Sequence, residues 1–171
     1  CAAALGARFV RAANTVEIAG VSAAARLPQL DCGESASTLR FFIPIAIALC
    51  GGGHFVGAET LLRRPLEPYF QIFEQNNIEY TYLPGKSLDV KGAFTQKTYH
   101  IDGTVSSQFV TGLLYALPLL EFDSELIIDG ALESKPYVDI TLDVLAAAGI
   151  QIENRGYRAF HIRGGQMYRL H

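Results

Sequence analysis

Ile101-Asp102-Gly103-Thr104-Val105-Ser106-Ser107-Gln108-Phe109 reads as a strand end, a turn and a helix start, and it has an earlier counterpart in Leu30-Asp31-Cys32-Gly33-Glu34-Ser35-Ala36-Ser37-Thr38-Leu39. Gly33 and Gly103 stand 70 positions apart, and each stretch leads into an apolar run. Matched on those glycines, Ala36-Ser37-Thr38 answers Ser106-Ser107-Gln108. Further along, Arg64-Pro65-Leu66-Glu67-Pro68-Tyr69-Phe70 is answered 71 positions later by Lys135-Pro136-Tyr137-Val138-Asp139-Ile140-Thr141, and Asn77-Ile78-Glu79-Tyr80 by Gly149-Ile150-Gln151-Ile152. A fixed period of this kind decides the architecture before any single element is assigned.

Each unit, roughly 30–100 and 101–165, reads as strand, glycine turn, helix, strand, proline-started helix and strand. Short strands are predicted at Gly53–Val56, Glu79–Leu83, Leu88–Lys91, Thr98–Ile101, Leu126–Asp129, Gln151–Glu153 and Ala159–Arg163, where apolar residues alternate. Ser35, Ser37, Ser106 and Ser107 fall near predicted helix starts, where a serine oxygen accepts an otherwise unpaired backbone N–H. Pro65 and Pro136 each fit the first helical position, which tolerates a missing N–H and a fixed φ. Leu66, Tyr69, Phe70 and Phe73 then recur at helical spacing, as do Val138, Ile140, Leu142 and Leu145 less strictly. The fold class expected is α/β with mixed strand directions, in a single domain over 1–171.

Composition narrows the function. The 171 residues carry a net charge of −3, with half of them hydrophobic and 18% charged. Neither a basic footprint for nucleic acid nor a run of like charge is present. The longest apolar run, Phe41 to Cys50, contains Pro44 and is far short of the roughly 20 residues that span a bilayer, so it is expected to be a core helix and no membrane partner is expected. Three cysteines, Cys1, Cys32 and Cys50, show no metal-ligand spacing and no even count, which fits a reducing cytoplasm. A mean hydropathy of +0.21 is high for a freestanding surface and points to an interface.

Adjacent Ser106 and Ser107 followed by Gln108 at a helix start place two hydroxyls, an amide and free backbone N–H groups near one point, which suits a phosphate. The plain alternative is that one serine only caps the helix. Arg64 and Lys135 precede helix prolines, where a cation opposes the helix dipole; this favours a functional role over an ordinary rim charge. Tyr137 can present its ring to a cyclic ligand or pack it in the core. His54, His100, His161 and His171 form no triad or metal pattern and are read as structural, and Gly51-Gly52-Gly53, with no Lys-Ser or Lys-Thr after it, is read as a turn.

Together, Asp31 to Phe42, Arg64-Pro65, Asp102 to Leu120 and Ser134 to Thr141 resemble the EPSP synthase family of 3-phosphoshikimate 1-carboxyvinyltransferases, with the likeness running from about Asn14 to Arg169. Ser-Ser-Gln-Phe and Ser-Lys-Pro-Tyr at this separation set it apart from the sister enolpyruvyl transferases acting on UDP-N-acetylglucosamine. The resemblance implies an EPSP synthase-like fold, an inverse α/β barrel, in which two similar domains of three βαβαββ units close over the substrates. It implies that this chain is the first, shikimate-3-phosphate-binding domain. It implies transfer of the enolpyruvyl group of phosphoenolpyruvate to the 5-hydroxyl of shikimate 3-phosphate, with release of phosphate, in aromatic amino acid biosynthesis, and it implies neither metal nor organic cofactor.

Carried over by motif, Ser106, Ser107, Gln108, Ser134 and Tyr137 would contact shikimate 3-phosphate, while Ala36, Arg64 and Gln108 would border phosphoenolpyruvate. Lys135 receives no direct contact, and no catalytic residue is expected within this stretch. Cys1 to Gly6 resembles the end of the helix after the family's Lys-Ser-x-x-x-Arg loop; that loop, and the next strand and helix before Asn14, are expected to be absent. The remaining cations and proton-handling carboxylates belong to the second domain of the family, so the chain alone is expected not to turn over. Glyphosate-sensitive members carry glycine where Ala36 stands, so a methyl there is expected to crowd the longer inhibitor. The competing readings are a catalytically silent anion-binding module and a UDP-N-acetylglucosamine enolpyruvyl transferase. The second of these requires a reactive loop cysteine or aspartate.

Overall fold

Two stretches of chain build four-stranded sheets with the same strand order, and the computed structural model describes residues 1–21 and 24–169 of the polypeptide. The first unit runs β3 (Gln29–Asp31), α1 (Ala36–Cys50), β4 (Gly52–Val56), α2 (Glu67–Gln75), β5 (Glu79–Leu83) and β6 (Ser87–Lys91). The second runs β7 (Thr98–Asp102), α3 (Ser107–Ala116), a 3-10 turn at Leu117–Leu119, β8 (Ser124–Asp129), α4 (Lys135–Ala147), β9 (Ile152–Arg155) and β10 (Ala159–Ile162). Their sheets are ordered β3-β4-β6-β5 and β7-β8-β10-β9. In each, the first two strands are parallel and joined through a helix, and the last two strands pair antiparallel to their neighbours. Both units are therefore βαβαββ, the mixed α/β class expected.

The predicted strands agree with the observed ones to within two residues at each end. β1 (Arg8–Arg11) lies between Gly6 and Asn14, where no strand is expected, and it forms a hairpin with β2 (Val16–Ala19). All eight residues of the hairpin are exposed, so no alternation of burial marks it.

Pro65 does not start α2: residues 58–64 close as turns, with Leu62 N–H donating to Ala58 O and Arg64 N–H to Leu61 O, and Leu66 caps the helix at φ −128°. The second proline of the segment, Pro68, takes the early helical position instead. In the second unit α4 begins directly after Ser134, with Pro136 in its first turn.

The internal offset at the glycine turn is 71, not 70. Asp31 Oδ1 accepts the Gly33 N–H at 2.9 Å and Asp102 Oδ1 accepts the Thr104 N–H at 2.8 Å, so the two turns match at aspartate. Gly33 sits at φ +55°, whereas Gly103 is needed for a different reason: a side chain there would meet Ile128 and the backbone at Leu132. The helix caps are Ser35 and Ser106, so Ala36 corresponds to Ser107 and Ser37 to Gln108.

The helices α1 and α3 pack side by side against one buried cluster that includes Leu39, Ile43, Phe55, Tyr69, Phe109 and Leu113. Their closest approach is explained by Pro44. Lacking an N–H, Pro44 cannot bond the carbonyl of Arg40 one turn earlier. Tyr69, fully buried from α2, donates its hydroxyl to that carbonyl at 2.6 Å, with Phe109 O at 3.2 Å. A Cβ at Gly112 would overlap the Tyr69 hydroxyl, lie 2.6 Å from Arg40 O and lie 3.1 Å from the Pro44 ring. Glycine is required there by proximity, not by φ.

Candidate functional site

The N-terminus of α3 is arranged as its serines suggest. Ser106, extended at φ −172°, caps the helix by accepting the Gln108 N–H at 3.3 Å. Ser107 is the first helical residue and nearly buried at 7% exposure. Gln108 reaches across to α1, where its Nε2 donates to Ser37 Oγ at 2.8 Å. The two helix N-termini are thereby held side by side, and neither has an acidic residue in its first turn. Positive dipole ends with no fixed counter-charge favour an anion.

A cleft of about 430 Å³ opens at this junction, lined by Ser37, Phe41, Ser106, Ser107, Gln108, Thr111, Tyr115, Ser134, Tyr137, Ile140 and Thr141. All five residues expected to face shikimate 3-phosphate line it, although they come from two separate stretches of chain. Ser134 is an exposed non-glycine residue at φ 56°, ψ 40°, and its hydroxyl makes no capping bond, so it is left for another partner. Tyr137 is 67% exposed, which excludes the core-packed alternative. Ile140, expected on the core face of α4, is 60% exposed and lines the cleft; Thr141 takes the buried place and shares a 3.0 Å hydrogen bond with Thr111. Burial pushes the Tyr115 hydroxyl above its usual range, so it serves as a neutral group.

Of the three residues expected to border phosphoenolpyruvate, Gln108 lines the cleft and Ala36 and Arg64 do not. Ala36 is the first, partly buried residue of α1, and Arg64 is exposed on the turn before α2. Lys135 places its ammonium 5.1 Å over the Tyr157 ring, and Tyr157 in turn donates to Asp139 at 2.6 Å.

Arg40 was not singled out from the sequence. Its Nη1 donates to Gln108 Oε1 at 2.8 Å, its guanidinium lies 4.4 Å over the Phe109 ring, and no carboxylate pairs with it among the described residues. Burial, with the like charge of Arg64 adding to it, pulls its pKa below the usual guanidinium range, although arginine remains charged at neutral pH. A signal was available: Arg40 is the only charged residue in α1.

His54 and His100 do have partners, Asp89 at 2.7 Å and Asp129 at 3.2 Å, each on a neighbouring strand and exposed. His171 lies outside the described residues. Cys32, at the turn before α1, is buried and its thiol is pushed up to about 11, so it offers no ready thiolate there. A larger hollow of about 680 Å³ lies along α4, β9 and β10, but its Arg155 is bound by Glu153 and Glu125 and none of the expected residues line it. Among the described residues no His, Cys, Asp or Glu group could hold a metal, and no helix is long and apolar enough to cross a membrane.

A family model described as EPSP synthase (3-phosphoshikimate 1-carboxyvinyltransferase) matches residues 1–171. Among curated relatives, the 3-phosphoshikimate 1-carboxyvinyltransferase of Clostridium botulinum (strain Alaska E43 / Type E3) is 45% identical over 141 residues, 82% of this chain and 33% of the relative. That of Clostridium beijerinckii (strain ATCC 51743 / NCIMB 8052) is 38% identical over 174 residues, covering 96% of this chain and 40% of the relative. The solved EPSP synthase from Acinetobacter baumannii superposes with a TM-score of 0.72 at 19% identity, covering 98% of this chain and 38% of that one, a likeness of fold. The chain thus spans about a third of the length of the curated relatives it matches.

Proposed function

The chain belongs to the EPSP synthase family, and from that premise we propose that it forms the shikimate-3-phosphate side of a 3-phosphoshikimate 1-carboxyvinyltransferase. In this reading the intact enzyme joins the enolpyruvyl group of phosphoenolpyruvate to the 5-hydroxyl of shikimate 3-phosphate and releases phosphate. The chain is the first domain, working in a reducing cytoplasm against a second domain that closes over both substrates.

The observation that carries the reading is the lining of one cleft, at paired helix N-termini, by Ser106, Ser107, Gln108, Ser134 and Tyr137. Ser106 and Ser107 give hydroxyl and backbone donors to shikimate 3-phosphate, Ser134 a hydroxyl free of capping duty, and Tyr137 an exposed ring for the cyclohexene face. Gln108, tied to Ser37 on α1, stands where both substrates meet, and Arg64 holds an oxyanion of phosphoenolpyruvate as a fork. These groups bind and orient, which lowers the entropic part of the barrier; proton transfer falls to the second domain. The purified 171-residue chain therefore forms no EPSP, and detectable product would overturn that part of the reading.

Calorimetry tests the site directly. Shikimate 3-phosphate binding to the intact enzyme weakens by at least tenfold on joint substitution Ser106→Ala and Ser107→Ala, given roughly 1.5–3 kcal/mol for a hydrogen bond to a charged group. Undiminished heat in the double variant would remove the cleft as the site.

Ala36 opens α1 directly before Ser37, the residue that holds Gln108. We expect the intact enzyme to tolerate glyphosate because of its methyl group, so Ala36→Gly lowers the glyphosate inhibition constant several-fold while the KM for phosphoenolpyruvate changes less. Equal inhibition constants for the two forms would discard the idea.

A further inference from the structure

We propose that Arg40 is a positioning and specificity-determining residue, which occupies the acceptor atoms of Ser106 and Gln108 so that both present only hydrogen-bond donors to the cleft. The proposal rests on the reading of that cleft as an oxyanion-ligand site.

A glutamine amide has one acceptor oxygen and two N–H donors, and its two ends can exchange places by rotation. Here Oε1 takes the 2.8 Å bond from Arg40 Nη1, and Nε2 faces Ser37 Oγ at 2.8 Å. Because a guanidinium can only donate, it can hold only the oxygen end of the amide, so the flip is fixed. One N–H of Gln108 remains uncommitted at the edge of the cleft.

Ser106 follows the same logic. Its Oγ accepts the Gln108 backbone N–H at 3.3 Å and faces Arg40 Nη1 at a long 3.5 Å, which leaves the hydroxyl proton to be donated elsewhere. Arg40 itself is held on the far side by the Phe109 ring at 4.4 Å and by Pro65 O at 3.5 Å from Nη2. It does not line the cleft, so it acts through its neighbours. A ligand without the phosphate loses little when such donors reorient, whereas the phosphate oxyanion loses the interactions that select it.

The test compares binding of shikimate 3-phosphate and of unphosphorylated shikimate to the intact enzyme by calorimetry. Wild type, Arg40→Met, the joint variant Ser106→Ala with Gln108→Ala, and all three changes together form a cycle. Arg40→Met is expected to weaken shikimate 3-phosphate at least tenfold and to reduce its preference over shikimate at least fivefold. In the background lacking both Ser106 and Gln108 side chains, the same change is expected to add less than twofold for shikimate 3-phosphate. Losses that multiply across the cycle would mean that Arg40 touches the ligand itself and would overturn the proposal, as would an unchanged preference.

If Arg40→Met fails to fold, Arg40→Lys carries the same comparison, since a single ammonium replaces the fork and is expected to restore part of the preference. The side-chain amide resonances of Gln108, measured without ligand, separate this proposal from the substrate assignment. They are expected to shift and broaden in Arg40→Met as the amide gains freedom. Should wild type bind neither ligand, the substrate assignment fails while these resonances still decide on Arg40, and unchanged signals would sink it.

Discussion

Gly112→Ala is expected to destabilise the protein by about 3 kcal/mol, although alanine is the better helix former by about 1 kcal/mol. The added methyl has nowhere to go. Two of the atoms around it, Arg40 O and the Tyr69 hydroxyl, are bonded to each other, and the third belongs to the rigid ring of Pro44. Relief requires either that α1 and α3 separate or that Tyr69 withdraw. Withdrawal leaves the Arg40 carbonyl without a partner, at roughly 1–3 kcal/mol for a buried polar group. For a domain of this size the loss corresponds to a fall in Tm on the order of 10 °C. Thermal unfolding followed by circular dichroism reads it, and a variant as stable as the parent would show that the helices do not approach as described.

Tyr69→Ala is expected to cost about 3–5 kcal/mol, the usual range for emptying a large aromatic site. Tyr69 is 1% exposed, stacks near Phe73 and meets the Phe109 ring edge-on at 4.9 Å between centroids. The hydroxyl part of that loss can be isolated. Tyr69→Phe keeps the ring and costs about 1–3 kcal/mol through the orphaned Arg40 carbonyl. Adding Pro44→Ala restores a backbone N–H one turn along α1, able to bond that carbonyl, so the double variant recovers most of what Tyr69→Phe loses. Urea denaturation of the four forms gives the coupling directly. Strict additivity would show that the tyrosine does not substitute for the missing helical bond.

The period near 70, the alternation in Glu79–Leu83 and Thr98–Ile101, and the serine cap of α3 are local features, and the α/β class follows from them; the unit read from them ends in one strand, and its βαβαββ form comes only with the family resemblance. Features that depend on which segments meet in space were hidden. The partners of His54 and His100 lie on adjacent strands, and cross-strand neighbours appear only once sheet register is set. The hairpin of β1 and β2 buries neither face, so it leaves no periodic trace. Matching glycine to glycine gives the wrong turn offset, because Gly33 serves a left-handed turn and Gly103 a close packing contact. The second proline of the α2 segment displaced the expected helix start for a similar reason, since Pro65 and Pro68 both suit a first turn and only the preceding turns decide between them.

The candidate site divides along the same line. Ser106, Ser107, Gln108, Ser134 and Tyr137 occur in compact motifs and line a common cleft. Arg40 belongs to no such motif. Its contacts reach residues 66 and 68 positions away, and the one local sign, a single charge in an apolar helix, could equally have marked a snorkelling surface residue.

Counted from their caps, Phe41 of α1 and Gly112 of α3 hold the sixth place of their helices, and Pro44 and Tyr115 the ninth. One inter-helix contact joins Pro44 to Gly112, and the other joins Phe41 to Tyr115, whose rings meet edge-on at 5.5 Å. The bulky pair walls the cleft, and the slender pair lies where backbones nearly touch. Duplicated positions have thus diverged in opposite directions of volume within a single seam. An ancestor alike in both copies would have no preferred side; bulk on one and its lack on the other give the seam a front, facing the cleft, and a back, facing the core.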